Sequence, residues 1–98
     1  MGKGLMEEAT TLDGKFRSIE ILYEWLEKGH EYKIAYKDKE YFILNGYDDN
    51  DRLDLRVLII DVDQDIEFSS VDDLFDNFII DGKSFREFIF EVNVLEEY

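Results

Sequence analysis

Residues 53–68 read LDLRVLIIDVDQDIEF and open with the most strand-like run in the sequence. Leu53, Leu55, Val57 and Ile59 alternate onto one side of an extended chain, while Leu58, Ile60 and Val62 add apolar side chains to the other. Successive side chains of a strand point to opposite faces, so a strand is expected from Leu53 to about Val62. From Asp61 onward the odd positions change chemistry. Asp61, Asp63, Asp65 and Glu67 are acids, whereas Val62, Ile66 and Phe68 stay apolar. An unbroken strand would set four carboxylates on one face, about 6.7 Å apart. A turn at Asp63-Gln64-Asp65, followed by a short strand over Ile66–Phe68, would instead gather the acids at a sheet edge. Both arrangements satisfy the pattern.

The elements before this stretch carry clear signals. Ser18 stands where an N-cap belongs, and Ile19, Leu22, Tyr23 and Leu26 recur at helical spacing up to Gly29, which predicts a helix over 19–28. Tyr32, Ile34 and Tyr36 alternate with Lys33, Ala35 and Lys37, the pattern of a half-buried strand. Lys37–Glu40 reads as a polar turn, Tyr41–Leu44 as the returning strand, and Asn45-Gly46 as a further turn. The strand from Leu53 should then run antiparallel to the second. Downstream, Ser70 opens a short helix through Val71, Leu74, Phe75 and Phe78, and Ser84-Phe85-Arg86-Glu87 is a capping box at the head of another. Residues 1–17 are polar and aperiodic, predicting coil, and the tail from Asn93 reads as extended or frayed. The expected fold is therefore α+β, α-β-β-β-α-α, a small antiparallel sheet of three to four strands with helices on one face, in a single domain over 18–98.

Composition narrows the function classes. With 98 residues, 45% of them hydrophobic and 15% aromatic, one core is sustainable without cross-links. There is no cysteine, hence no disulfide and no thiolate metal site. The longest apolar runs, such as Val57–Ile60, have four residues, far short of the roughly 20 that span a bilayer. No secretory pattern opens the chain, and Met6 stands where a myristoylation signal needs Ser or Thr. A cytoplasmic location is expected.

The formal net charge is -14, unevenly placed. Residues 1–44 hold nine acids against seven bases, and residues 45–98 hold sixteen against four. Such a field repels nucleic acid and anionic membrane and attracts basic protein surfaces.

Catalytic constellations are poor. His30 is the only histidine and follows a helix C-terminus, where a cation is favourable. Glu31-Tyr32-Lys33 has the acid-x-lysine order of some metal-dependent nucleases, a triad common by chance in a chain with 37% charged residues. Gly82-Lys83-Ser84 lacks the preceding glycine of a phosphate loop. Asp61, Asp63, Asp65, Glu67, Ser69 and Asp72 copy the ligand positions of an EF-hand loop, but Ile66 occupies the place of its turn glycine and a strand precedes it. No enzyme, resident metal or cofactor is expected.

What is left is the acidic segment. Residues 48–76 carry eleven acids, Asp48, Asp49, Asp51, Asp54, Asp61, Asp63, Asp65, Glu67, Asp72, Asp73 and Asp76, offset only by Arg52 and Arg56. Crowded like charges destabilise a fold by self-repulsion, and a basic partner would relieve them. Proteins that bind nucleic acid present Lys and Arg where phosphates sit, so a rigid row of carboxylates can occupy that site. Tyr47, beside the short acidic loop Asp48-Asp49-Asn50-Asp51, is the expected interface aromatic.

The stretches Glu67-Phe68-Ser69-Ser70-Val71-Asp72-Asp73-Leu74 and Ile80-Asp81-Gly82-Lys83-Ser84-Phe85-Arg86-Glu87, with Glu24-Trp25-Leu26-Glu27-Lys28-Gly29 before them, resemble small acidic proteins of Gram-positive bacteria and their phages. In size, acidity and element order the chain is also similar to phage-borne anti-CRISPR proteins that mimic DNA. That second likeness is architectural, and no site residue carries over from it. The expectation is a non-enzymatic DNA mimic that inhibits a nucleic-acid-processing protein, such as a CRISPR-type nuclease, through its basic groove. It would bind a basic protein partner, and neither nucleic acid itself nor a membrane. The alternatives are an immunity or antitoxin-type protein that blocks one toxin, with Tyr47 and shape dominating, and a housekeeping domain that associates through an apolar strand face. The oligomeric state stays open.

Overall fold

The computed structural model describes residues 8–47 and 49–98. The chain is α+β. Its elements are α1 (Ile19–Glu27), β1 (Tyr32–Tyr36), β2 (Lys39–Tyr47), β3 (Leu53–Ile59), a 3₁₀ turn (Ile60–Val62), β4 (Gln64–Phe68), α2 (Val71–Asn77), β5 (Ile79–Ile80), β6 (Lys83–Ser84), α3 (Phe85–Phe88), a second 3₁₀ turn (Ile89–Glu91) and β7 (Asn93–Glu97). Five strands form one sheet in the order β4-β3-β2-β1-β7, every pairing antiparallel, and β5 and β6 form a separate two-residue hairpin.

The stretch 53–68 is a hairpin, not one straight strand. β3 ends at Ile59, and Asp63 takes the left-handed conformation at φ 52°, which returns the chain along β3 with Leu58 opposite Asp65 and Arg56 opposite Glu67. Aspartate is among the few non-glycine residues that enter this region readily. Lys37 and Asp38, at φ 51° and 66°, likewise make the tight two-residue turn between β1 and β2. That turn is narrower than the Lys37–Glu40 turn expected, because Lys39 and Glu40 pair with Tyr36 and Ala35.

The buried face of the sheet carries Tyr32, Ile34, Tyr36, Tyr41, Ile43, Leu55, Val57 and Phe68. Leu22 and Leu26 of α1, Val71, Leu74 and Phe75 of α2, and Phe85 and Phe88 of α3 close over it. The aromatic contacts fix the layering. Phe88 stacks on Tyr36 with ring centroids 4.4 Å apart, and Phe78 meets Tyr41 edge-on at 5.6 Å. Offset or edge-on pairs of this kind add about 0.5–1.5 kcal/mol each beyond area burial.

The helix ends are capped as their sequences require. Ser18 Oγ accepts from the Ile21 amide at 3.1 Å, and Ser70 Oγ from the Asp73 amide at 3.0 Å. Glu87 reaches back to accept the Ser84 amide at 2.8 Å and the Ser84 hydroxyl at 3.2 Å, and those donors hold its carboxyl below the usual range. Gly29, at φ 91°, ends α1 one residue before the expected boundary of 28.

Four further features differ from the sequence reading. The sheet has five strands because β4 pairs along β3 and β7 docks on β1, and the β5–β6 hairpin lies outside the expected order. Asn45-Gly46 is not a turn but lies within β2, where Asn45 is buried and Gly46 pairs with Asp54. Asn45 Nδ2 donates to the Leu26 and His30 carbonyls, tying the end of α1 to the sheet. Residues 8–17 contain no helix and only an isolated bridge between Thr10 and Phe16, yet Ala9 and Phe16 are fully in the core. Phe16 meets Tyr32 at 5.4 Å and Phe85 at 6.2 Å. The coil expected over 1–7 lies outside the described residues.

Candidate functional site: an acidic edge strand

The acids follow the hairpin geometry. β4 is the last strand on its side of the sheet, and Gln64, Asp65, Ile66 and Glu67 are all exposed. Asp65 and Glu67 are two residues apart and so share a face, about 6.7 Å from one another. This is the face turned away from the helices, because Val57, the partner of Ile66, is fully buried on the other side. Asp61 and Asp63 sit at the hairpin tip, at the start of β4, and Asp73 at its end. Five acids thus follow one edge, two at the tip, two on the strand and one beyond it.

Counter-charges are few. Arg56 lies across from Glu67 but forms ion pairs with Asp65 at 3.1 Å and Asp54 at 3.2 Å. None of Asp61, Asp63 and Glu67 has an ion pair among the described residues. Asp73 serves the fold directly: its carboxylate accepts the Ser69 amide at 2.8 Å and the Asn77 side chain at 2.6 Å, and these donors hold it below the usual carboxylate range.

The remaining predicted residues do not join this edge. Asp49 and Asp51 lie in the loop between β2 and β3, at the opposite end of β3 from Asp61. The seven residues of β3 hold the two ends about 20 Å apart. Asp72 accepts from the Tyr23 hydroxyl at 3.2 Å, which raises the tyrosine's pKa, and Asp76 pairs with Arg86 at 3.0 Å. Both turn toward the helical layer. Tyr47 is 60% exposed, and its hydroxyl donates to the Glu27 carbonyl at 3.3 Å. Asp48 lies outside the described residues.

Three features escape the sequence reading. The hairpin exposes apolar side chains among its acids, Ile60, Val62 and Ile66. On the same face as Asp65, a half-buried group of Phe42, Leu44 and Leu58 runs across the sheet, with Tyr98 stacked on Phe42 at 5.4 Å. Only the apolar residues on both sides of β3 hint at this second patch. A cleft of about 340 Å³ opens between the β1–β2 turn and the 3₁₀ turn, lined by Lys37, Asp38, Lys39, Glu40, Ile60 and Asp61. Lys37 is engaged there by Asp81 at 3.1 Å, which raises its pKa.

Among the described residues no three acids or histidines are grouped to hold a metal ion, and no helix is long and apolar enough to cross a membrane. His30 packs edge-on against Trp25, with centroids 4.3 Å apart. Fold and site together define an acidic α+β domain with a charged, open sheet edge. Protein-family models, curated proteins and solved structures all fail to match the chain.

Proposed function

We propose that this protein is a non-enzymatic acidic binding protein that occupies the basic groove of a nucleic-acid-processing partner, as a DNA-mimic inhibitor would, with a phage-defence nuclease of the CRISPR type as the target class. The supporting observation is the set of exposed carboxylates along the β3–β4 hairpin that form no ion pair among the described residues, Asp61, Asp63 and Glu67, with Asp65 sharing Arg56 with Asp54. Like charges held on a rigid hairpin repel one another at all times, and a surface of Lys and Arg arranged for phosphates relieves that repulsion on contact.

A second reading draws on different residues. An immunity-type protein that blocks one toxin would use shape and apolar contact, and the exposed Tyr47 ring together with Ile60, Val62 and Ile66 supplies such a surface. The two readings part on which substitutions matter.

The test is a capture from nuclease-treated bacterial lysate at low salt. The native chain is compared with a variant carrying Asp61→Asn, Asp63→Asn, Asp65→Asn and Glu67→Gln, and with Tyr47→Ala. Mimicry predicts that the native chain and Tyr47→Ala retain a basic nucleic-acid-binding protein that duplex DNA elutes, and that the neutralised variant loses it. Equal capture by native and neutralised chains, with loss on Tyr47→Ala, overturns mimicry in favour of the immunity-type reading.

A further inference from the structure

The carboxylates say what kind of partner fits, and the backbone beneath them says how it docks. Strand N–H and C=O groups alternate between the two neighbours of a strand. The Asn45 amide points toward the β1 side, where it donates to Glu31 Oε2 at 2.9 Å. Phe42 and Leu44 therefore face β3 and bond the backbone of Leu58 and Arg56. Alternation then turns Leu55, Val57 and Ile59 toward β4, so Gln64, Ile66 and Phe68 bond inward. The N–H and C=O of Asp65 and Glu67 point out from the sheet. The next outward amide, Ser69, confirms the phase, because it is taken by the Asp73 carboxylate. No backbone bond engages the outward groups of Asp65 or Glu67 among the described residues.

The opposite edge of the sheet is partly closed. On β7 the Val94 amide donates to the Gly14 carbonyl at 2.6 Å, so the loop over 10–16 lies along that edge. An unpaired edge strand is a template for another strand. Charged side chains discourage indiscriminate pairing, and here they select the guest. A second copy paired through β4 would set Asp65 and Glu67 beside the same residues of its neighbour, a like-charge contact. A strand with basic residues on that face has none of this cost, and apolar residues on its other face would lie beside Ile66, which is 38% exposed.

We infer that β4 is a docking strand: an extended segment of the partner, with Lys or Arg alternating with apolar residues, pairs with its outer edge as a sixth strand. Main-chain bonds to Asp65 and Glu67 hold it, and alternate side chains give specificity, as in strand addition generally. This rests on the partner being basic, the reading proposed above, and adds the mode of attachment.

The probe is a synthetic peptide of about six residues, alternating Lys and Val. A control of equal charge has Pro in place of each Val and cannot form a ladder. Amide hydrogen exchange is followed by NMR on the native protein, and affinity is measured for native, Glu67→Gln and Glu67→Pro. Proline is compatible with an outward-facing edge position because the lost N–H bonds nothing within the sheet. The alternating peptide should slow exchange at Asp65 and Glu67 about tenfold or more, and Glu67→Pro should weaken it about tenfold, beyond the loss seen with Glu67→Gln. Equal binding of both peptides, with no protection at these amides, overturns strand docking and leaves the basic-partner reading standing. Binding of neither peptide overturns both.

Discussion

Replacing Asn45 should uncouple α1 from the sheet at a cost that depends on what replaces it. Asn45 is 7% exposed, and its Nδ2 serves two carbonyls, those of Leu26 and His30. The Leu26 carbonyl also receives the Gly29 amide at 3.0 Å, so it keeps a donor when the side chain is cut back. The His30 carbonyl loses the only donor it has among the described residues. Asn45→Ala therefore forfeits one shared and one unshared hydrogen bond, together about 2 kcal/mol. For a domain of this size that is about 10 °C in Tm. Asn45→Asp is worse at neutral pH, because a carboxylate would face two carbonyl oxygens that it cannot serve. Its folded pKa must then lie above its unfolded one, at about 1.4 kcal/mol for each unit. The folded state binds the extra proton, so the added penalty is full above the folded pKa and is lost as pH falls toward the unfolded value. Urea denaturation of the native chain and both variants at pH 7.5 and pH 5 measures this. The Asp variant should be the least stable at pH 7.5 and approach the Ala variant at pH 5. An Ala variant within about 0.5 kcal/mol of native, or an Asp–Ala gap that does not narrow on acidification, refutes the role given to this side chain.

Phe16→Ala should cost about 3–5 kcal/mol, because the ring is 2% exposed between Tyr32 and Phe85; a loss under about 1 kcal/mol in denaturant titration would mean that residues 8–17 are not part of the folded unit. Asp73→Ala should remove a pH-dependent contribution. Its carboxyl is depressed in the folded state, so native exceeds variant stability above the ordinary carboxylate range, and the difference shrinks as pH falls below it; urea titrations at pH 6 and pH 3 read this directly. Arg56→Met leaves Asp54 and Asp65 without their counter-ion and should lower stability by up to about 1 kcal/mol at low salt, with the deficit fading as salt screens the repulsion.

The sequence makes some of this structure legible and conceals the rest, for separable reasons. α1 declares itself because an N-cap serine, a helical apolar stripe and a C′ glycine agree. The two strands of the β1–β2 hairpin are also open to view, but alternation on the first arm alone and the unbroken apolar run Tyr41–Leu44 do not fix the register, which closes through Tyr36 and Lys39. The hairpin at 60–63 is harder, because the acids keep the same alternation through the turn, although the 3₁₀ turn at Ile60–Val62 and the left-handed Asp63 break the extended chain. Asn45-Gly46 has the composition of a turn, but the asparagine is held inside a strand by carbonyls that arrive from a helix nineteen residues earlier in the case of Leu26. Phe16 is a lone aromatic in a polar run, and β7 has one half-buried residue, Val94, among exposed ones, so neither shows a period. The acids themselves are evident from the sequence. Their division into an edge group, a far loop and a helical group depends on which strands pair, which charge counting does not contain.

Competition on the captured partner separates groove occupation from binding elsewhere. The native chain is titrated against a fixed amount of partner at increasing concentrations of duplex DNA. Occupation of the basic groove predicts mutually exclusive binding, with the apparent Kd of the chain rising in proportion to DNA and no ternary complex. A chain that binds equally well to the DNA-loaded partner contradicts the account.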